Sequence, residues 1–210
     1  MQKGEAQDTK VKRGRFIVFE GIDGSGKTSQ MKLFGKYLKS KKVRFIETYE
    51  PTEGPIGKLI RKALKYQLKF SWDTLQLMYS ADRADHLEKL ILPSLKKGIT
   101  VLADRYFFST YAYGELNLDP KWLRQLSAKF CFPDLILLID MPAKIAVGRI
   151  DSSRIAKELY EKEIMLAKVR NNYLKMAKGF GMIVLNGTKA KDEIHQEVLE
   201  ILKKKKYINE

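Results

Sequence analysis

The residues with the clearest chemical purpose in this chain are Lys27 and Thr28, which end a loop that opens at Gly21. From Gly21 through Ile22, Asp23, Gly24, Ser25 and Gly26 to Lys27 and Thr28, the sequence satisfies G, four residues, G-K-[ST]. Backbone N–H groups of such a loop wrap a polyphosphate, the lysine ammonium reaches the outer phosphates, and the threonine hydroxyl holds Mg²⁺. A glycine-rich turn that only caps a helix is the alternative. It would leave the Lys-Thr pair, the apolar run before it and the amphipathic run behind it in register for no reason. The loop therefore reads as a nucleoside triphosphate site.

A second group stands at the end of another apolar run, where Asp104 precedes Arg105. Phosphoryl transfer asks a protein for positioning and for positive charge around the moving group. Asp104 suits a metal ion or its waters, and Arg105 can bridge two phosphates. The competing reading is a surface ion pair following a strand. Arginines on a closing segment neutralise transition-state charge, and Arg149 and Arg154 are the candidates. Spacing alone equally allows them to be solvated charges on a helix face.

Alternating elements must carry these groups. The run Phe16-Ile17-Val18-Phe19 reads as a strand into the loop, and Met31, Phe34, Tyr37 and Leu38 recur at helical spacing behind it. Residues 43–49 read as a second strand, stopped by Glu50-Pro51-Thr52-Glu53-Gly54-Pro55, with a helix over 56–66. Ser71 is a candidate N-cap for a long helix ending near Pro93, with Gly98 marking its end. Strands over 99–103, 134–140 and 182–185 alternate with helices over 107–115, 120–130 and 191–204 and a polar helical region over 142–178. This alternation predicts an α/β fold, a five-stranded parallel sheet sandwiched by helices, with the ligand beyond the carboxyl ends of the strands. Residues 15–210 read as one domain with a helical lid around 142–160, and residues 1–14 as a flexible arm.

The chain has 210 residues, 44% of them hydrophobic, which suits one well-buried domain. Forty Lys and Arg against 25 Asp and Glu give a net +15, consistent with a polyanionic ligand. Cationic runs stand at Lys10 to Arg15 and Lys203 to Lys206, but neither is interleaved with aromatics, which argues against nucleic acid. The single cysteine, Cys131, excludes an internal disulfide and fits a reducing compartment. With two histidines, His86 and His195, a zinc site has little to work with. No signal peptide or membrane-length apolar run is present, so a cytoplasmic protein is expected.

Three blocks, Phe19-Glu20-Gly21-Ile22-Asp23-Gly24-Ser25-Gly26-Lys27-Thr28, Ser80-Ala81-Asp82-Arg83-Ala84-Asp85-His86 and Asp104-Arg105-Tyr106-Phe107-Phe108-Ser109-Thr110-Tyr111-Ala112-Tyr113, follow one another at suitable distances. Together they resemble the thymidylate kinase family, from about Arg15 to Leu202. The resemblance implies the fold above, a homodimer, and transfer of the γ-phosphate of ATP to dTMP with Mg²⁺. It implies that Asp23 contacts the deoxyribose 3′-hydroxyl and the acceptor phosphate. Tyr79 would stack on thymine, and Arg83, four residues on, would hydrogen-bond the base edge. Ser109 and Thr110 match a base-reading pair, Tyr113 the aromatic that crowds the sugar 2′ position, and Pro51 the proline lining the acceptor pocket. Without the resemblance, Tyr79 and Tyr113 also read as core rings and Arg83 as a solvated side chain.

Two positions depart from the family pattern. Many relatives carry an arginine before the Glu-Pro pair to grip the acceptor phosphate, and this chain has Tyr49, leaving that duty to Arg105 with Arg61. Gly24 follows Asp23 where one branch has a catalytic arginine, which places the chain with the branch that supplies arginines from the lid, here Arg149 or Arg154. Three other functions compete. A nucleotide or nucleoside kinase of altered specificity is one, and a nucleic-acid-binding ATPase another. A GTP switch lacks its Asn-Lys-x-Asp, the nearest sequence being Asn186-Gly187-Thr188-Lys189.

Overall fold

The structure is a computed structural model and describes residues 13–150 and 156–207. Its centre is β1, Phe16–Glu20, buried along its whole length. Strands β2 (Phe45–Tyr49), β3 (Thr100–Asp104), β4 (Leu135–Asp140) and β5 (Ile183–Asn186) complete a sheet in the order β2-β3-β1-β4-β5. Every pairing is parallel, as the continuous apolar runs of β1, β3 and β4 require of strands covered on both faces. The predicted α/β class and five-stranded parallel sheet are both present.

Alternate residues of β1 feed two cores, as the two-residue period of a strand dictates. Ile17 and Phe19 pack with Met31, Phe34 and Leu38 of α1 (Lys27–Ser40) and with Ile194 and Val198 of α9 (Lys191–Lys204). Phe16 and Val18 face the opposite layer, with Phe108 and Ala112 of α5 (Phe107–Gly114) and Val169 and Tyr173 of α8 (Ala156–Ala177). Register then aligns the chemistry: Phe19 pairs with Asp104 on β3, and Tyr49 of β2 pairs with the same Asp104. The phosphate loop, Asp104-Arg105 and the Glu50-Pro51 turn thus leave one edge of the sheet together.

Ser71 does cap α3 (Trp72–His86), accepting from Thr74 N at 3.1 Å. The helix passes through a π-helical turn over Leu87–Ile91, continues as α4, Leu92–Lys96, and stops just before Gly98, as expected. A wider turn gives room where the proline ring would crowd the carbonyl one turn back. The remaining helices are α2 (Pro55–Leu64), α6 (Pro120–Ser127) and α7 (Ala143–Ile150). The expected arm is shorter than residues 1–14 at its inner end. Arg13 forms a 2.8 Å ion pair with Asp134, and Gly14 N donates to Leu95 O at 2.8 Å, so close that a Cβ would sit 2.0 Å from Ile99 O. Residues 1–12 lie outside the described residues, as does Arg154 in the expected lid. Among the described residues, no helix is long and apolar enough to cross a membrane.

Candidate active site

The loop from Gly21 to Thr28 runs from the tip of β1 into α1, so backbone N–H groups and the positive end of the helix dipole face one point. Gly24 sits at φ 78°, and a Cβ there would meet Ala146 O of α7 at 2.3 Å, so only glycine lets the loop pass under that helix. Lys27 is 7% exposed and its Nζ donates to Ile22 O at 3.1 Å. Burial, and then the nearby Arg105, push its ammonium down to about 8. Among the described residues this buried cation is held by one carbonyl and the neighbouring Ser25 hydroxyl is buried without a partner, an arrangement an anion would complete.

Thr28 Oγ1 donates directly to Asp104 Oδ2 at the head of α1. These two hard oxygens fit a magnesium ion that takes its other ligands from phosphates and water. Among the described residues no cluster of three His, Cys, Asp or Glu side chains could bind a metal by itself.

Arg105 joins the loop to the opposite wall. Its backbone holds φ 74°, a left-handed conformation that costs an ordinary residue on the order of 1–3 kcal/mol, and its N–H is tied to Phe19 O at 2.9 Å. One guanidinium nitrogen, Nη2, donates to Asp23 Oδ1 at 2.6 Å and to the Tyr113 hydroxyl at 3.2 Å. The other, Nη1, donates to Ser109 Oγ at 2.9 Å and to the Tyr173 hydroxyl at 3.2 Å. Burial opposes the Asp23 charge, but Arg105 and then Lys27 hold its carboxyl below the usual value. Tyr113 is pushed up to about 12 by burial, with Arg105 opposing. Tyr79 is likewise raised to about 12 by burial, with Arg105 opposing.

Arg83 lies deeper and is 1% exposed, which excludes the solvated reading. Its Nε donates to Glu50 Oε2 at 2.7 Å and its Nη1 to Thr110 Oγ1 at 3.1 Å. Behind it, Glu50 Oε1 also meets His86 Nδ1 at 3.2 Å, and the other ring nitrogen meets Thr48 Oγ1 at 2.7 Å. Pro51 lies on the turn between these groups and Arg105. Asp82 pins that turn by accepting from Thr52 N at 2.7 Å and Thr52 Oγ1 at 2.6 Å.

The structure thus joins Asp23, Arg105 and Tyr113 beside the phosphate loop, and Arg83 with Thr110 and Glu50 behind the turn that carries Pro51. Ser109 differs: its hydroxyl is engaged by Glu20, Tyr173 and Arg105, whereas Thr110 faces Arg83. Arg61 is fixed on the turn through Pro51 O at 2.6 Å, Thr52 O and Glu53, and the Tyr49 hydroxyl points to Glu53 at 2.6 Å. Arg149 stands apart, in a cleft of about 180 Å³ on the α9 side of the loop, with Ser29, Gln30, Gly187, Lys189 and Lys191.

Glu20 received no role from sequence. It is fully buried at the end of β1 and accepts from Tyr106 N, Ser109 Oγ and the Tyr173 hydroxyl. Burial pushes its carboxyl up from the ordinary value, with Arg105 and these donors opposing. The signal was available: a carboxylate closing an otherwise apolar buried strand must have partners.

A phosphate loop and a buried polar cluster, sharing one edge of a parallel sheet and bridged by an arginine, define a P-loop nucleotide kinase. The sequence matches the family described as Thymidylate kinase over residues 19–198. It is 39% identical over 198 residues to the probable thymidylate kinase of Pyrococcus horikoshii, covering 91% of this chain and 97% of that one. Similar matches are the probable thymidylate kinase of Thermococcus kodakarensis, 37% identical over 197 residues with 89% and 96% covered, and the thymidylate kinase of Thermosipho africanus, 37% over 196 residues with 90% and 98% covered. The chain belongs to the thymidylate kinase family.

Proposed function

We propose that this chain transfers the γ-phosphate of ATP to dTMP, yielding dTDP, across the space between Lys27 and Arg105. The observation that carries this reading is the 2.6 Å contact of Arg105 with Asp23, which puts the acceptor-side cation within the phosphate loop itself. The loop amides and Lys27 hold the donor phosphates. Thr28 and Asp104 would hold Mg²⁺, which supplies positive charge against the phosphate oxygens. Arg105 takes the acceptor phosphate when it arrives, and Asp23, released from part of that contact, meets the sugar 3′-hydroxyl and the phosphate. Tyr79 stacks on the base, Arg83 and Thr110 address its edge, and Tyr113 crowds the 2′ position so that a ribonucleotide clashes. Arg149 faces the donor nucleotide from its cleft, on a helix whose Ala146 already touches the loop. The γ-phosphoryl group then passes in line from the donor to the acceptor phosphate oxygen, with the cations compensating its charge.

A coupled ADP-release assay comparing dTMP, dUMP, dGMP, dCMP and thymidine tests this. Turnover is expected to be highest with dTMP, and turnover with another acceptor but none with dTMP would remove the reading.

The homodimer belongs to the same proposal. Leu64, Tyr66, Leu68, Phe70, Trp72 and Leu77 are all exposed, on the end of α2, the segment after it and the start of α3. Exposed apolar side chains this close together in the chain are what a second copy covers. Leu77, 51% exposed, is expected to yield a monomer by light scattering when changed to Glu, and an unchanged mass would place the interface elsewhere.

A further inference from the structure

We propose that Glu20 and Tyr173 are positioning residues that aim Arg105 at the acceptor phosphate, by fixing which way two hydroxyl groups point. This rests on the reading of Arg105 given above. Glu20 touches no ligand space: it is sealed at 0% exposure beneath Arg105. Its Oε1 accepts from Tyr106 N at 2.8 Å, and its Oε2 accepts from Ser109 Oγ at 2.8 Å and from the Tyr173 hydroxyl at 2.7 Å. Those same two hydroxyls receive Arg105 Nη1, at 2.9 and 3.2 Å.

Proton bookkeeping makes the arrangement directional. Serine and tyrosine hydroxyls have one proton each, and a carboxylate can only accept. With both protons turned toward Glu20, only lone pairs remain toward the guanidinium, which can only donate. The 2.8 Å approach of Ser109 Oγ to the Tyr173 hydroxyl is then a contact of two acceptors, drawn together by the carboxylate on one side and the cation on the other. Nη1 is thereby anchored. Nη2 is left facing Asp23 and Tyr113, on the side where the acceptor phosphate enters. Arg105 stands in a left-handed conformation just outside β3, so its side chain is steered by these partners on α5 and α8. Tyr173, 1% exposed, comes from α8, so this helix contributes directly to the acceptor side.

The sharpest test is Glu20→Gln, because a glutamine amide can donate to Ser109 or Tyr173, turn a hydroxyl proton toward Arg105 and set two donors against each other. Tyr173→Phe removes one lone-pair anchor and keeps the ring. Steady-state kinetics varying dTMP and ATP separately, with melting temperatures, are measured for both variants and for Arg105→Lys. For each of the two, KM for dTMP is expected to rise by about tenfold or more, the worth of a hydrogen bond to a charged group. KM for ATP is expected to stay within about twofold, since Lys27 and the loop amides are untouched. In the Arg105→Lys background, Tyr173→Phe is expected to lose its effect on KM for dTMP, because its route is gone.

Equal rises in both KM values, or an undiminished Tyr173→Phe effect without the Arg105 guanidinium, would reduce the network to general support of the fold and overturn the inference. Unchanged KM for dTMP in both variants overturns it too, while leaving the role of Arg105 intact if Arg105→Lys raises that KM. An Arg105→Lys variant with normal KM, or a wild-type protein inactive on dTMP, overturns the reading and the inference together. If Glu20→Gln fails to fold, Tyr173→Phe decides alone.

Discussion

Lys27→Met is expected to lower turnover by about 10³-fold or more while raising the melting temperature of the nucleotide-free protein. The first effect follows from the loss of a preorganised cation against the transferring phosphate. The second follows from burial. Lys27 carries its charge at 7% exposure with one carbonyl partner among the described residues, and its ammonium is pushed down to about 8 from an ordinary 10.5. The protonated side chain is therefore less favourable in the folded than in the unfolded chain. Below pH about 8 the folded state carries that cost in full, on the order of 3 kcal/mol, and between about 8 and 10.5 it is progressively relieved. Wild-type stability in this window is expected to rise with pH relative to Lys27→Met, which has no proton to lose. A bound polyphosphate reverses the balance by giving the ammonium its counter-charge. Nucleotide affinity should therefore weaken above pH 8, with proton uptake on binding seen by calorimetry in buffers of different ionisation enthalpy. If Lys27→Met kept near-normal turnover, or lost stability at pH 7, the cradle would have been misassigned.

How much of this was legible in the sequence depended on whether a feature is local. The phosphate loop and Asp104-Arg105 were readable because each is a contiguous run at the end of a buried strand, and parallel register alone brings Phe19 beside Asp104. Strands β1, β3 and β4 were readable for the same reason, as continuous apolar runs. The end of the long helix before Gly98 was readable, while the widened turn over Leu87–Ile91 that lets it accommodate Pro93 was not. Gly14 misled because a polar, charged context hides a backbone packed against Ile99. The network behind the site was the least legible. Glu50 and His86 are separated by a turn, α2 and nearly all of α3, and Tyr173 looks like any core aromatic on a helix face. Nothing in their spacing says that a hydroxyl or carboxylate is pointing at an arginine. Buried polar residues are assembled by tertiary packing, and the only sequence trace of the Glu20 network is the acid that closes β1.

Asp104→Asn is the other substitution with a large expected effect, and it separates metal binding from the geometry of the strand tip. Asp104 is 9% exposed and accepts from Thr28 Oγ1, the loop hydroxyl expected to meet Mg²⁺. Its backbone is independently fixed, with its carbonyl accepting Glu50 N at 3.1 Å and its position paired to Phe19 and Tyr49 across the sheet. Asparagine preserves size, backbone pairing and one acceptor oxygen, so the fold should survive. What it removes is a full negative charge beside the cation, and a charged contact of this kind is worth about 1.5–3 kcal/mol, or about 10–100-fold in binding. The Mg²⁺ concentration giving half-maximal rate is therefore expected to rise by about that factor, with turnover reduced at ordinary Mg²⁺ and partly restored at high Mg²⁺. The variant has a further signature. Asp104 is one of the carboxylates that favour the charged form of Lys27, so its neutralisation should push the Lys27 ammonium lower still in the nucleotide-free protein. The proton taken up on nucleotide binding should then become visible at a lower pH than in the wild type. A variant with a lowered rate but an unshifted Mg²⁺ curve would assign Asp104 to orienting Thr28 rather than to the metal.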